Sequence, residues 1–441
     1  MRAAPQVFVR VTIQINGRQE VGFSAELLSP KWFDKNPALS NEDNFSQLRS
    51  ALRIAASLYI NAGLSPNAFS LHAMCAAALY RSCAEEGSGG LIASYGAALL
   101  DRAILDAICR SANLSFYDAM RSNLPGMDTS TTPDLHGTDL TGFLTTRTAP
   151  CSLAVRHTVG MIDPILSTAI TEPLDDGLPQ SLDAIIERYG VRFFKIKVGS
   201  DIDAAISRLQ IIANLLDTQA GYYRVSLDGN ELFSDADEVG RLFDAIEAEP
   251  TLQRLWRATL YIEQPIARDR ALEEPVHAIA RRKPLAVDES DSHIGIFPVA
   301  RALGYTGMSS KSCKGVYRSI LNAARVEHWN SQSGAKRCFM TAEDLSTQPG
   351  VSVQQDSALA AFIGVEHVER NGHHFVDGFG STPITEQQRY LQDYPGLYET
   401  AQDGAARLRI AGGNIDICAL DQPGFGVFTP PDWENLDSFD S

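Results

Sequence analysis

Three lysines and three acidic residues follow short apolar runs in the middle of this 441-residue chain. In chain order they are Lys195, Lys197, Asp228, Glu263, Asp288 and Lys311. From Lys197 onward, successive members of this series lie 31, 35, 25 and 23 residues apart, about the length of one strand–helix unit. Because parallel strands end at the same edge of a sheet, the spacing predicts that these side chains meet at one end of it.

The three carboxylates, Asp228, Glu263 and Asp288, indicate a metal site. Bare carboxylates brought together repel one another and their pKa values rise, a conflict that a divalent cation removes. Three oxygen ligands with positions left open for substrate and water suit Mg²⁺, or Mn²⁺, better than zinc. One such acid alone would more simply cap the helix after its strand, but three in register favour the metal.

The lysines suit proton transfer. Lys195 and Lys197 lie two residues apart on a predicted strand, so both face the same way, and two neighbouring ammonium groups depress each other's pKa. Lys311 arrives from a strand four units later. Rim lysines that extend to water are the alternative, but apolar and small neighbours argue against it. Lysines on either side of a metal suit removal of the proton α to a carboxylate, with the metal holding the enediolate.

Alternating strand-like and helix-like runs fill the chain after residue 150 and predict how these residues are positioned. Eight strands are expected at 155–160, 193–198, 223–228, 258–263, 284–288, 307–311, 337–342 and 366–370. Predicted helices lie between them, including 269–281 and 356–363. A barrel of strand–helix units fits better than a doubly wound sheet, since no glycine-rich phosphate loop follows any strand.

The flanking segments predict a second domain. A hairpin turning at Asn16-Gly17 is followed by a polar loop at 27–44, interpreted as a lid, and by helices at 45–62, 68–84, 91–112 and 115–121. Residues 122–149 look like a linker. We therefore expect a capping domain over 1–149, a barrel over 150–385, and a C-terminal segment over 386–441 whose strands return to the amino-terminal hairpin.

Composition narrows the partners and the location. The formal charge of −16 argues against nucleic acid or an anionic membrane as partner, and no apolar run is long enough for a spanning helix. The seven cysteines are scattered singly, with no Cys-x-x-Cys pair. This pattern predicts buried free thiols in a reducing, cytoplasmic setting.

Three motifs resemble one family: Lys195-Ile196-Lys197-Val198-Gly199, Ile262-Glu263-Gln264-Pro265 and Asp288-Glu289-Ser290. In order and spacing they are similar to the enolase superfamily, in its mandelate racemase and muconate-lactonizing branch. The resemblance implies a modified TIM barrel, (β/α)7β, with an α+β capping domain. It also implies Mg²⁺ on Asp228, Glu263 and Asp288, acid/base roles for Lys197 and Lys311, an auxiliary role for Lys195, and a homo-oligomer.

A lysine after the sixth strand resembles the lysine–lysine, muconate-lactonizing-like subgroup, and the seventh-strand segment 340–344 has no histidine. The sixth-strand motif usually continues into Gly-Gly, whereas this chain has Lys311-Ser312-Cys313-Lys314-Gly315-Val316, which makes Lys314 a rival to Lys311. The eighth-strand segment lacks an Asp-x-Asp pair, so a substrate amine is not expected. Further substrate contacts are expected from Asn230, His157, Glu343 and Glu369; His373 and His374 could contact substrate or lie on the surface.

These observations predict Mg²⁺-dependent removal of the α-proton of a small carboxylate substrate. Racemisation, epimerisation and cycloisomerisation all begin with that step. Dehydration of a hydroxy acid or acid sugar is the alternative reaction, and a metal-binding barrel without catalysis is the alternative of another class. The substrate itself is left open.

Overall fold

The amino-terminal hairpin forms as its Asn-Gly turn predicts. In the computed structural model, which describes residues 5–439 except 175, 336 and 346, strands β1 (Gln6–Ile15) and β2 (Arg18–Leu27) pair antiparallel over their whole length. Asn16 and Gly17 have φ values of 50° and 82°. Positive φ at both positions is what a two-residue hairpin turn of type I′ requires.

The helices of the capping region also match the predicted segments. They are α1 (Asn41–Asn61), α2 (Ala68–Glu85), α3 (Gly90–Ala112) and α4 (Phe116–Arg121), followed by a fifth, α5 (Leu140–Thr145). Ser40 caps α1 in a reciprocal capping box with Asp43. Helices α1 and α3 pack closely because Gly96 has no side chain, and a Cβ there would lie 2.4 Å from the Ala51 carbonyl oxygen.

Residues 122–149 are not the open linker that their polar composition predicts. Besides α5, this stretch contributes Leu135, Leu140, Phe143 and Leu144 to the large core that fills and surrounds the barrel. Four buried apolar side chains in a loop-rich segment are enough to fix it against its neighbours. The predicted domain boundary at 149/150 stays a prediction.

A closed barrel of eight parallel strands forms the centre of the molecule. The strands are β3 (Ser152–Val159), β4 (Phe193–Lys197), β5 (Arg224–Asp228), β6 (Thr259–Glu263), β7 (Leu285–Val287), β8 (Gly307–Ser310), β9 (Phe339–Glu343) and β10 (His367–Glu369). Each pairs with the next, and β10 pairs with β3 through Val368 and Val155, which closes the ring. Most of their apolar side chains are buried, as expected for strands covered on both faces.

Helices follow the strands around the outside of the barrel. They are α6 (Leu182–Tyr189), α7 (Ile202–Leu215), α8 (Ala236–Ala248), α9 (Gln253–Ala258), α10 (His277–Ala280), α11 (Ile296–Leu303), α12 (Val316–Ser333), α13 (Val351–Phe362) and α14 (Gly372–Phe375). The helix predicted over 269–281 is reduced to α10, because Pro275 disfavours helical backbone at the residue before it. Among the described residues, no helix combines the length and apolarity needed to cross a membrane.

The C-terminal segment divides between the two parts of the fold. After α15 (Ile384–Asp393), strands β11 (Tyr398–Thr400) and β12 (Ala406–Leu408) pair with each other, and β13 (Asn414–Asp416) pairs antiparallel with β3. The prediction that these strands return to the amino-terminal hairpin is therefore wrong for β13. Further along, Val427 packs with Phe23 of β2, so the chain does return to the hairpin after the last strand.

Two cysteines contradict the prediction of free thiols throughout. Cys151, just before β3, and Cys418, just after β13, form a disulfide across 267 residues of sequence. The five others are free and buried, as predicted. The disulfide lies beside the β3–β13 pairing and fastens the C-terminal segment to the start of the barrel.

Candidate active site

The strand ends bring the charged residues together at one mouth of the barrel. Strand register places Lys197 beside Asp228 and Asp228 beside Glu263. On the other side of the ring, Glu343 is beside Glu369. All five are the last residues of their strands, so the convergence expected from the spacing is present in the structure.

Lys195 lies at the centre of this cluster. Its ammonium nitrogen Nζ is within 3.2 Å of four carboxylates. In chain order these belong to Asp228, Glu263, Glu343 and Glu369. Burial disfavours the charged form of Lys195, but the four carboxylates outweigh burial and raise the pKa of the ammonium well above its ordinary value. Lys195 is therefore a cation that holds the acids together.

Lys311 and Lys314 share one carboxylate. Lys311 Nζ is 2.7 Å from Asp288 Oδ2, and Lys314 Nζ is 2.8 Å from Asp288 Oδ1. Burial opposes ionisation of Asp288, but the two ammonium groups lower its pKa to about 2. The sequence raised Lys314 only as a rival to Lys311; the structure brings both onto the same acid. Lys314 also donates to the Ser309 carbonyl oxygen at 2.9 Å.

Glu343 joins the two halves of the cluster. Its Oε2 accepts from Lys195 at 3.0 Å and also from Lys311, while Oε1 is 3.2 Å from Arg156 Nη2. Burial would raise the pKa of Glu343, but Lys195 and Lys311 lower it well below its ordinary value. The sequence predicted only a substrate contact for Glu343. It missed Arg156, whose one signal was its place two residues before Thr158 on an inward-facing β3 position.

A metal ion fits the acids of this mouth. Glu263, Asp288 and Glu343 each offer a carboxylate oxygen, and the three oxygens lie within 4.8 Å of one another. Glu263 Oε2 is buried and has no hydrogen-bond partner in the described part of the chain. Burial and the neighbouring Glu343 raise the pKa of Glu263 well above its ordinary value, which is the conflict that a cation relieves. Oxygen-only donors suit Mg²⁺.

The predicted ligand Asp228 has other partners. It does not belong to the group of three among the described residues. Its Oδ2 is 3.2 Å from Lys195 Nζ, and its Oδ1 accepts from the Asn230 backbone N–H at 2.8 Å. Of the predicted metal ligands, the geometry thus groups Glu263 and Asp288 with Glu343.

Lys197 lies at the rim of the mouth, where Asn230 is its neighbour as expected. Lys197 Nζ donates to Asn230 Oδ1 at 3.2 Å, and Asn230 Nδ2 donates to Glu289 Oε1 at 2.8 Å. Burial, followed by the Asp288 and Asp228 charges, raises the pKa of Glu289 to about 8. No carboxylate of the described chain lies within 4.0 Å of Lys197 Nζ, in contrast to Lys195 and Lys311.

Glu369 and His157 were both predicted to contact substrate. Glu369 joins the cluster of carboxylates around Lys195, and His157 does not. Glu369 accepts from Lys195 at 3.0 Å and from the Thr158 hydroxyl at 2.5 Å. His157 lies on the opposite face of β3 from Thr158. Its Nδ1 is 3.0 Å from His373 Nε2, and its ring packs edge-on against His374. The structure does not bring His157 to the carboxylates.

The loop between β2 and α1 covers the mouth. The Trp32 ring lies 4.9 Å from Lys311 Nζ, measured to the ring centroid. Arg268 holds the loop by donating to the Trp32 and Phe33 carbonyl oxygens, both at 2.9 Å. Glu231 orients Arg268 from the barrel side at 2.6 Å. This position agrees with the lid interpretation of residues 27–44.

Comparison with known proteins shows the fold. No protein-family model and no curated protein matches the chain. Solved structures do. A mandelate racemase/muconate lactonizing enzyme from Roseiflexus sp. has a TM-score of 0.56 at 16% identity, with 96% of each chain covered. A muconate lactonizing enzyme from Klebsiella pneumoniae has a TM-score of 0.56 at 14% identity, covering 96% of this chain and 91% of that one.

A dipeptide epimerase from Enterococcus faecalis V583 has a TM-score of 0.53 at 13% identity, with 97% of this chain and 99% of that one covered. The shared architecture extends over nearly the whole chain and confirms the predicted fold class, a modified TIM barrel with capping elements. At these identities the likeness establishes fold, and reaction and substrate need an argument from the site.

Proposed function

We propose that this chain is an enzyme of the mandelate racemase and muconate-lactonizing branch of the enolase superfamily. It removes the α-proton of a small carboxylate substrate in a Mg²⁺-dependent reaction. One observation carries the proposal: Lys197 and Lys311 extend from opposite walls of the barrel mouth, on either side of a buried group of carboxylates. Strand β4 and the end of β8 are four strands apart in a ring of eight, so the two lysines address opposite faces of a substrate.

Glu263, Asp288 and Glu343 would hold the metal. Asp228, which was predicted as a ligand from the sequence, is the alternative to one of them. When bound, Mg²⁺ supplies positive charge that holds the substrate carboxylate and stabilises the enediolate. Lys195 remains protonated among the acids, because two of its carboxylate partners, Asp228 and Glu369, are not among the three proposed metal ligands. It lies where it can add a second positive charge beside the substrate carboxylate.

The two outer lysines differ in their surroundings, and this difference assigns their roles. Lys197 Nζ contacts the neutral Asn230 amide and no carboxylate of the described chain, and we assign it the role of base. Lys311 is paired with Asp288 and Glu343, which raise its pKa well above the ordinary value despite burial. We assign Lys311 the role of the acid, which returns a proton on the opposite face.

Two-sided proton transfer suits racemisation or epimerisation, and a one-sided version suits cycloisomerisation. All three reactions share the removal of the α-proton. Trp32 above Lys311 closes one side of the mouth against water, which strengthens the electrostatic interactions inside. The chemistry is therefore proposed at the level of this shared step, with a small carboxylate as substrate.

Exchange of the α-proton tests the proposal. A library of carboxylates is incubated with the Mg²⁺-loaded enzyme in D₂O, and deuterium at the α-carbon is followed by NMR. For the compound exchanged fastest, Lys197→Met and Lys311→Met should each slow exchange on their own face by about 100- to 10,000-fold. Lys283→Met is the matched control, since Lys283 binds the Trp256 and Thr259 carbonyl oxygens at the opposite end of the barrel.

The proposal fails if no carboxylate of the library exchanges, or if exchange is as fast in both lysine variants as in Lys283→Met. Circular dichroism of each variant verifies the fold before exchange is measured. If Lys283→Met also loses catalysis, the losses in Lys197→Met and Lys311→Met are effects on the fold. They then no longer support roles for these two lysines.

A further inference from the structure

A second cleft lies behind the barrel mouth, outside the ring of strands. It lies between the ends of β9 and β10, the end of α6 and the β11–β12 hairpin, and is partly open to solvent. Asp344 and Arg370 line it and directly follow Glu343 and Glu369. Since successive side chains of a strand alternate in direction, the mouth and this cleft share the same strand ends but use opposite faces.

Four residues that line this cleft each have a buried polar atom without a hydrogen-bond partner within the described chain. These atoms are Thr347 Oγ1, Arg370 Nε, His373 Nδ1 and Arg407 Nε. The four residues are 2%, 1%, 4% and 8% exposed. Because a buried polar group without a partner costs about 1–3 kcal/mol, four around one cleft indicate that something else bonds to them.

The arginines are held by their outer nitrogens, which leaves the inner N–H groups free. Arg370 is paired through Nη1 with Asp344 and through Nη2 with Asp356. Arg407 is paired through Nη2 with Asp377 and Asp403. In both cases the carboxylates fix the guanidinium plane, while Nε–H remains unsatisfied. An N–H of an ionised group makes a stronger hydrogen bond than a neutral donor, above all to an anion.

The remaining two groups complete a donor-rich lining. The Thr347 hydroxyl can donate. His373 is neutral, since burial lowers its pKa to about 3, and its Nδ1 carries the proton when Nε2 accepts from His157 at 3.0 Å. Three arginines, Arg188, Arg370 and Arg407, and two acids, Asp344 and Glu399, line the cleft, while Asp356, Asp377 and Asp403 pair with two of these arginines.

We infer that this cleft binds a small tetrahedral oxyanion, a phosphate ion or the phosphate group of a small ester. Donors come from the loop after β9, the residue after β10, helix α14 and strand β12, and a tetrahedral oxyanion offers acceptors in several directions at once. Because Arg370 and Arg407 are already paired with carboxylates, we expect millimolar rather than micromolar affinity. Because Asp344 and Arg370 adjoin Glu343 and Glu369, an ion bound here stiffens the two strand ends that carry those acids. The inference does not depend on the reaction proposed above.

Calorimetric titration with inorganic phosphate tests it, in gluconate buffer at constant ionic strength and without substrate. Thr347→Val removes the hydroxyl at nearly constant volume and should weaken phosphate binding about three- to tenfold, the value of one hydrogen bond. Arg407→Met should weaken it about tenfold or more, since a charged donor is lost. Arg389→Met, an exposed arginine on α15, is the matched control and should bind as the parent does.

Several outcomes would overturn the inference. One is the absence of saturable binding to the parent protein at phosphate concentrations up to about 50 mM. At that concentration a site of millimolar affinity would be occupied and would stabilise the fold measurably. Another is parent-like binding in Thr347→Val, which would place the phosphate elsewhere, for example among the lysines of the mouth. Acetate binding as tightly as phosphate would contradict a tetrahedral ligand. Glycerol 3-phosphate distinguishes the two ligands. If it binds more tightly than inorganic phosphate, the ligand is a phosphate ester, and if it binds more weakly, the ligand is the free ion.

Discussion

Glu343 carries more charge contacts than any other acid considered for the site. One oxygen accepts from Lys195 and Lys311, and the other from Arg156. Three cations around one buried carboxylate keep it ionised, and an ionised oxygen is what a divalent cation needs. The same lysines hold the group of three together, because Lys195 pairs with both Glu263 and Glu343, and Lys311 pairs with both Asp288 and Glu343.

Metal affinity distinguishes the observed group from the predicted one. We expect Glu343→Gln to weaken Mn²⁺ binding about tenfold or more, because an orienting or ligating carboxylate is lost. Electron paramagnetic resonance of free Mn²⁺ measures this without substrate. Glu327→Gln, on the exposed side of α12, is the control and should bind like the parent. If Asp228→Asn abolishes binding and Glu343→Gln leaves it intact, the predicted set of Asp228, Glu263 and Asp288 is the correct one.

Buried histidines make stability depend on pH. Burial lowers the pKa of His157, His367 and His373, that of His373 to about 3. In the unfolded chain each titrates near 6.5. Above that pH both states are neutral at these positions. Below it the unfolded state gains protons that the folded state does not, so the free energy of unfolding falls by about 1.4 kcal/mol per pH unit and per histidine.

The comparison of single variants isolates one histidine. The unfolding free energy of the parent minus that of His373→Gln should fall by about 2 kcal/mol from pH 7.5 to pH 5.0. The reason is that unfolding of the parent exposes a histidine that takes up a proton, and unfolding of the variant does not. Urea unfolding at several pH values measures it. His136→Gln, an exposed histidine, should leave the slope unchanged. A pH-independent difference for His373→Gln would show that His373 is not held neutral.

At the scale of elements, local signals predicted what local chemistry decides. The Asn16-Gly17 turn fixed the hairpin, and apolar spacing located α1, α2 and α3 within a few residues. The alternation of strands and helices predicted the barrel, and the spacing of charges predicted the mouth. These features depend on residues close in sequence or on a repeated unit length, both of which can be read along one chain.

Elements that depend on distant partners were missed or misplaced. The strand at Asn414–Asp416, β13, was predicted but assigned to the wrong partner, because its partner β3 lies more than 250 residues away in sequence. The covering loop is held by Arg268 through the carbonyl oxygens of Trp32 and Phe33, and a contact with backbone leaves no trace in the side chains. Arg156 was missed for the same reason, since its partner Glu343 lies on the seventh strand.

At the scale of the whole molecule, the cap and the barrel are joined by buried charge. Glu26 of β2 accepts from Arg102 of α3 at 3.1 Å and from the Ser312 hydroxyl, beside Lys311, at 3.0 Å. Glu26 and Arg102 are 2% and 0% exposed. Arg102 holds Glu26 within the cap, and the hydroxyl groups of Ser312 and Ser352 bind the Glu26 carboxylate from the barrel, which fixes the cap position relative to Lys311.

The Cys151–Cys418 disulfide fixes the molecule at the opposite boundary, between the start of β3 and the C-terminal segment. Closing a loop across 267 residues removes conformational freedom from the unfolded chain. We expect reduction, or the double change Cys151→Ser and Cys418→Ser, to lower the free energy of unfolding by about 2–5 kcal/mol. The double variant is also the control, because its unfolding should no longer respond to a reductant.

Thiol titration in guanidinium then decides whether the bond exists in the purified protein. Without reductant, the five free cysteines should react, and all seven after reduction. Seven reactive thiols before reduction would contradict the disulfide and support the reducing setting predicted from the scattered cysteines. Five reactive thiols before reduction would indicate that this chain folds under oxidising conditions, since an exposed disulfide does not persist in a reducing compartment.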